Sequence, residues 1–246
     1  MGFSTRSYAR PYMGGGGLPE GLKLLLIANT VVFLLEYLGL KGFLFHYFGL
    51  TPSSVVFSFA LWQVATYLFL HDGFFHILFN MFALWIFGRE IEAAWGRRRF
   101  LRFYFVCGTG AGVCIVIINY MFGYANTVTI GASGAIYGIL LASALMWPDR
   151  IVYMNFLFPI KMKYLVLIYG GLAFLGSMNL NSGVSNIGHL GGMLFGYLYL
   201  RTPTVRGFDP LASAREQYRA WKLARAKRKF QVYLRKHGSD RDPWVH

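Results

Sequence analysis

The sequence predicts an all-α, polytopic membrane protein built as a six-transmembrane-helix bundle, and three observations carry that prediction. Hydrophobic side chains make up 56% of the 246 residues, whereas charged residues make up 14%. A water-soluble domain could hardly cover so apolar a chain with polar surface. The apolar residues also form six long segments, and Lys and Arg gather in the connections between them. At roughly 20 residues per span, the chain has room for one bundle and for no second large domain.

The six apolar segments are predicted to be helices, because lipid offers no hydrogen-bond partners to backbone amides. No alternating strand pattern is visible in the sequence. The predicted spans cover residues 22–40, 73–91, 98–122, 131–148, 155–177 and 186–201.

Basic residues indicate the orientation of the bundle. Arg89 lies at the end of the second span, Arg97 follows it and Arg150 follows the fourth, whereas the connections 120–130 and 178–186 contain no Lys or Arg. Cytoplasmic loops are enriched in Lys and Arg, so both termini are predicted to be cytoplasmic.

The chain is predicted to have three parts. Residues 1–20 are Gly-rich, lack an apolar run with a cleavage site, and are expected to form a flexible cytoplasmic leader. Residues 21–204 hold the six spans. Residues 205–246 form a basic tail with 11 Lys and Arg against 4 Asp and Glu. This tail is expected to be helical over 211–236 and to lie on anionic lipid headgroups. The alternatives are a solvated helix and a nucleic-acid-binding helix.

The first long connection, residues 41–72, is rich in Phe, Leu and Trp. Aromatic side chains favour the headgroup level, so this segment is expected to pack on the flank of the bundle in the outer interface.

Cys107 and Cys114 lie seven residues apart in one apolar segment and are predicted to be structural thiols. His71 and His76 are five apart and no HExxH pattern occurs, so neither a metal site nor a cofactor is predicted.

A serine and a histidine stand in glycine-rich stretches of two different spans. Ser133 lies in Gly131-Ala-Ser-Gly134 at the start of the fourth span, and His189 follows Gly188 in the sixth. Each stretch alone has a second interpretation, since small residues pack membrane helices closely and a lone histidine can bond to a neighbouring helix. Together, Gly134 and Gly192 favour a close approach of the two helices, which permits a Ser133/His189 dyad.

Two further polar residues are predicted to face the same place. His76 and Asn80 are four apart at the outer start of the second span, and therefore share one helical face. With the Ser133 backbone N–H they could donate hydrogen bonds to an oxyanion, although polar contacts between helices remain the alternative. No acidic residue lies at the outer end of spans four to six. The histidine is therefore expected to be oriented by stacking on Tyr137, one turn after Ser133.

These three motifs, Gly131-Ala-Ser-Gly134, Gly188-His189 and His76-xxx-Asn80, resemble those of the rhomboid intramembrane serine proteases. The resemblance covers residues 20 to 205. It implies that Ser133 attacks the scissile carbonyl, that His189 transfers the proton, and that an acyl-enzyme is then hydrolysed. It further implies single-pass transmembrane substrates cut near their outer end, and a bacterial plasma membrane as the location.

One residue departs from the family pattern, since Gln63 follows Trp62 where an Arg is frequent. This change puts the rigidity of the first loop in doubt but not the reaction. Two other classes of function are the alternatives: a catalytically inactive relative that binds membrane helices, which the intact Ser133/His189 pair disfavours, and a channel or transporter, for which no internal repeat is visible.

Overall fold

The computed structural model describes residues 17–154, 158–178, 184–202 and 221–230. Most of the predicted leader and of the predicted tail lies outside these residues. The described part is helical, with one small β-hairpin. Its elements are α1 Glu20–Leu35, a π-helical turn Glu36–Leu40, α2 Lys41–Phe48, α3 Pro52–Phe57, α4 Gln63–Thr66, a 3₁₀ turn Tyr67–Phe69, α5 Phe74–Trp95, α6 Arg97–Met121, α7 Ser133–Met146, β1 Ile151–Met154, β2 Phe158–Lys161, α8 Met162–Met178 and α9 Val184–Arg201.

Three helical stretches in the described part are long and apolar enough to cross a membrane: Glu20–Phe48, Phe74–Trp95 and Arg97–Met121. Two more helices, α7 and α8, are apolar but shorter. A helical membrane bundle therefore agrees with the predicted fold class. The count of six spans stays a prediction.

Helices α6, α7 and α9 form the centre of the bundle. On α7, a Cβ at Gly138 would lie 2.5 Å from Cys107 Sγ and 3.0 Å from the Gly192 carbonyl oxygen. A Cβ at Gly192 on α9 would overlap the Gly134 carbonyl oxygen. Glycine at these positions is thus what allows the backbones of α7 and α9 to touch.

We expect Gly192→Ala to destabilise the bundle, because the new methyl group meets a backbone atom that cannot rotate away. Overpacking of this kind costs about 1–3 kcal/mol in the free energy of unfolding. Gly171→Ala on α8 is the matched control, since a Cβ there meets nothing within 4 Å. Thermal unfolding in detergent should show a lower midpoint for Gly192→Ala only, and equal midpoints for both variants would contradict the packing described.

The buried carboxylate of Glu92 on α5 holds the start of α1. Its Oε1 accepts the Gly21 N–H at 2.8 Å and its Oε2 accepts the Leu22 N–H at 2.6 Å. The first N–H groups of a helix have no partner within the helix and favour negative charge, so this pair of bonds satisfies both needs. Gly21 itself leaves no room for a side chain, since its Cβ would lie 2.9 Å from Glu92 Oε1.

The connection 41–72 folds into three short helices and a 3₁₀ turn rather than an open loop. Gln63, which departs from the family pattern, is buried within it. Its Oε1 accepts the Thr51 N–H at 3.1 Å, and its Nε2 donates to the Tyr47 carbonyl at 3.3 Å. The amide therefore ties two parts of the loop together. Phe57, Phe59 and Trp62 remain exposed, as an interfacial position requires.

The helix that corresponds to the predicted fifth span begins later than residue 155, where that span was expected to start. Strands β1 and β2 pair antiparallel, with Tyr153 opposite Pro159, and α8 starts only at Met162. Pro159 explains the difference, because a proline lacks the N–H that a helix needs and biases the residue before it toward extended backbone.

Asp149 accepts hydrogen bonds from Lys163 and Lys161 at the base of the hairpin, and these partners hold the pKa of Asp149 below its usual range.

The chain divides into two compact units, Met1–Pro203 and Thr204–His246. Within the second unit the structure describes residues 221–230, which form an exposed helix. The Arg225 guanidinium lies over the Trp221 ring, 5.4 Å from its centroid. This helix falls inside the segment 211–236 that was predicted to be helical.

Candidate active site

Ser133 is the first residue of α7. The backbone N–H groups of the first residues of a helix have no carbonyl partner within that helix, so the Ser133 N–H has no partner within α7. The loop before it is tied down by the Gly131 N–H, which donates to the Tyr67 carbonyl at 2.9 Å. Gly131 has φ 114°, a conformation that favours glycine. Two backbone hydrogen bonds between Leu50 and Thr129 hold the same loop two residues before Gly131.

His189 on α9 faces Ser133 directly. Its Nε2 lies 2.9 Å from Ser133 Oγ, within hydrogen-bond distance, although the two residues are 56 positions apart in sequence. The glycine contacts between α7 and α9 account for this approach. Gly188 is buried beside His189, and a Cβ there would lie 2.9 Å from Ile115 Cδ1 of α6.

Tyr137 stacks on the imidazole of His189. The two ring centroids are 4.0 Å apart and the rings are 2° from parallel. The other ring nitrogen, Nδ1, is buried and has no hydrogen-bond partner among the described residues. In the described part of the chain, the orientation of His189 therefore rests on its bond to Ser133 and on this stack, with no carboxylate in contact.

His76 approaches the same place from α5. Its Nδ1 accepts the Asp72 backbone N–H at 3.2 Å. A backbone N–H can only donate, so in neutral His76 the proton must sit on Nε2. A Cβ built on Gly131 would lie 2.8 Å from that Nε2 and 4.0 Å from Ser133 Oγ, so both atoms border the space beside Gly131.

Asn80 lies one turn after His76 and is buried. Its Nδ2 donates one hydrogen bond to the His76 carbonyl at 2.8 Å. An amide nitrogen carries two hydrogens, so one donor remains for a ligand. The predicted residues Ser133, His189, Tyr137, His76 and Asn80 are thus brought together from three helices.

A cavity of about 660 Å³ opens beside these residues. The wall of the cavity includes the polar side chains of His76, Asn80, Ser133 and His189, and is otherwise largely apolar and aromatic. The apolar and aromatic wall comes from α5, the Ile130 loop, α7, the hairpin and α8, and includes Phe79, Phe82, Ile86, Ile130, Leu140, Tyr153, Leu165 and Tyr169. Its size is typical of a ligand site, with a few polar groups at one point of an apolar surface.

Sequence reasoning missed two contributors to this site. Asp72 fixes the tautomer of His76 through its backbone, and Tyr67 holds Gly131 through its carbonyl. Both act through main-chain atoms, which leave no signal in residue type. The positive φ of Gly131 was equally invisible in the sequence.

A family model described as Rhomboid domain matches residues 58–203 of the chain. Over 151 residues the chain is 33% identical to Rhomboid protease GluP of Bacillus subtilis (strain 168), covering 61% of this chain and 27% of that protein. RHOMBOID-like protein 1 of Arabidopsis thaliana is 30% identical over 195 residues, 75% of this chain and 45% of that protein. Rhomboid protease AarA of Providencia stuartii is 29% identical over 214 residues, 80% of this chain and 75% of that protein.

Proposed function

The chain belongs to the rhomboid family and is an integral membrane protein, and from that premise we propose that it is an intramembrane serine endopeptidase. The observation that supports this most is the 2.9 Å contact between His189 Nε2 and Ser133 Oγ. A nucleophile within hydrogen-bond reach of a base, which is itself oriented by a third group, is the arrangement that acyl transfer needs. Here Tyr137 is the orienting group.

In the proposed reaction, Ser133 Oγ attacks the scissile carbonyl while His189 Nε2 takes the hydroxyl proton. The carbonyl oxygen becomes an oxyanion, which the Nε2–H of His76, the free Nδ2–H of Asn80 and the Ser133 N–H stabilise. His189 then returns the proton to the leaving amine, and the C–N bond breaks to give an ester on Ser133. Water, deprotonated by His189, hydrolyses that ester and regenerates the enzyme.

The proposed substrate is a single-pass transmembrane helix. The apolar wall, which includes Phe79 and Leu165, suits a segment that comes from lipid, and Ser133 and His189 line the same cavity. An intact helix hides its carbonyls in hydrogen bonds, so the substrate must unwind locally before Ser133 can attack. Small or helix-destabilising residues near the outer end of the substrate would favour that unwinding.

The location and the tail complete the proposal. Lys and Arg on alternate sides favour cytoplasmic termini, and the family suggests a bacterial plasma membrane.

The basic tail is proposed to lie on anionic headgroups. Residues 221–230 carry Lys222, Arg225, Lys227, Arg228 and Lys229 on an exposed helix, which supports that role. Limited trypsin digestion of the full chain, reconstituted in liposomes that contain or lack anionic lipid, tests this role. Cleavage within the tail should be slower with anionic lipid, and equal rates in both kinds of liposome would contradict it.

Cleavage of a membrane reporter tests the proposed activity. We expect the purified full chain in liposomes to cut a tagged single-pass reporter once, near its outer end, as mapped by mass spectrometry of both products. The same peptide segment in a soluble carrier should remain intact, because the cavity has to receive its substrate from lipid. Cleavage of the soluble carrier at an equal rate would contradict an intramembrane mechanism.

A further inference from the structure

Two residues within the helical stretch Glu20–Phe48 contact the turn that precedes α5. Glu36 is buried, and its Oε1 accepts the His71 backbone N–H at 3.2 Å. Lys41 Nζ lies 2.6 Å from Asp72 Oδ1. Two neighbouring residues of the turn 70–73 are therefore held by one short segment.

The backbone of that segment is unusual. Gly39 has φ 99°, a non-helical conformation, so the chain kinks within Glu36–Leu40 between α1 and α2, and Lys41 begins α2 directly after the kink. Glu36 and Lys41 lie on the two sides of this kink, and the side chains of both contact the turn 70–73.

The turn 70–73 controls His76 in two ways. The Asp72 N–H donates to His76 Nδ1 at 3.2 Å and so keeps the His76 proton on Nε2. The His71 ring packs edge-on against the His76 ring, with centroids 5.0 Å apart. Burial, and secondly the neighbouring His76, lower the pKa of His71 to about 4, so this packing ring is neutral at pH 7.

We propose that Glu36 and Lys41 are positioning residues, which hold the turn 70–73 so that His76 presents its Nε2–H toward Ser133. This inference rests on the proposed function, in which His76 stabilises the oxyanion. Neither residue touches the reacting atoms. If the turn moves, His76 loses the bond to Asp72, its proton can shift to Nδ1, and its Nε2 no longer donates.

The expected effects follow from that geometry. Loss of one oxyanion donor lowers kcat about 100–1,000-fold, and a displaced donor should cost less. We expect Glu36→Ala to lower kcat about 10-fold with KM within about two-fold, because substrate binding uses other residues. Glu36→Gln keeps an oxygen for the His71 N–H and should remain within about three-fold of the unmodified chain. Lys41→Ala, at an exposed ion pair, should lower kcat about three-fold.

Reporter kinetics with the full chain in liposomes test the proposal, using Glu36→Ala alone and combined with His76→Ala. If Glu36 acts through His76, the double variant is no slower than His76→Ala alone. The matched control is Glu20→Ala, which removes the other carboxylate of the stretch Glu20–Phe48, exposed and paired with Arg97 at 2.7 Å. It should leave kcat unchanged.

A spectroscopic readout separates positioning from a merely structural role. Ring ¹⁵N shifts in histidine-labelled protein, assigned with His76→Ala, should show the His76 proton on Nε2 in the unmodified chain and in Glu36→Gln. Glu36→Ala should show a mixture of tautomers. If Glu36→Ala does not fold, Lys41→Ala carries the same two measurements, because its side chain is exposed.

The outcomes distinguish this inference from the proposed function. Activity that survives Ser133→Ala would contradict the proposed function itself. If Ser133→Ala is inactive, the inference is overturned by a kcat unchanged in Glu36→Ala, by an equal loss in the His76→Ala background, or by an unchanged His76 tautomer.

Discussion

Replacing Ser133 by Ala should lower reporter cleavage at least about 1,000-fold, because the variant has no nucleophile to form the acyl-enzyme. The reporter should still bind, since the apolar wall of the cavity is unchanged. The loss is thus expected in kcat rather than in KM. Initial rates in liposomes, with products separated on gels and confirmed by mass spectrometry, measure this effect.

The control for this variant lies on the same helix. Ser143 is also a buried α7 serine, but its hydroxyl donates to the Ile139 carbonyl at 3.0 Å and lies outside the cavity wall. Ser143→Ala should keep cleavage within about two-fold. If Ser133→Ala still cleaves, the nucleophile is another group. If the Ser133→Ala variant binds the reporter but the unmodified chain cleaves none, the alternative of a catalytically inactive protein that binds membrane helices gains support.

Replacing His189 by Ala should be nearly as damaging as replacing Ser133. Without the imidazole no group accepts the Ser133 proton at 2.9 Å, and the leaving amine has no acid to protonate it. We expect a loss of about 1,000-fold. His46→Ala removes an exposed histidine of α2 and should leave the rate within about two-fold of the unmodified chain.

A double variant makes this prediction sharper. Residues that act as one catalytic unit show strongly non-additive effects. Ser133→Ala combined with His189→Ala should therefore be no slower than either single variant. A further loss in the double variant, comparable to that of a single one, would show that the two residues act independently and would contradict a dyad.

The sequence predicted the helices and the pairing of the site residues for a clear physical reason. Apolar length identifies membrane helices, and glycines spaced four apart, as in Gly188 and Gly192, identify the faces where helices touch. Ser133 and His189 both lie beside such glycines. Their approach could therefore be inferred without coordinates, whereas their catalytic roles stay proposals.

Other features could not be predicted, because they depend on contacts between distant main-chain atoms. The hairpin of β1 and β2 lies in apolar sequence that also suits the start of a span, and only its pairing distinguishes it. The connection 41–72 likewise shows aromatic composition but not its short helices. The bond from Asp72 to His76 involves a backbone N–H, which every residue except proline carries.

Covalent labelling is the most direct test that Ser133 is a nucleophile activated by His189. The full chain in liposomes would be treated with a fluorophosphonate probe, digested, and searched by mass spectrometry for the modified residue. We expect one adduct, on Ser133, absent in Ser133→Ala, much slower in His189→Ala and unaffected in Ser143→Ala. An adduct on a different residue, or cleavage activity that persists when Ser133 is fully modified, would contradict it.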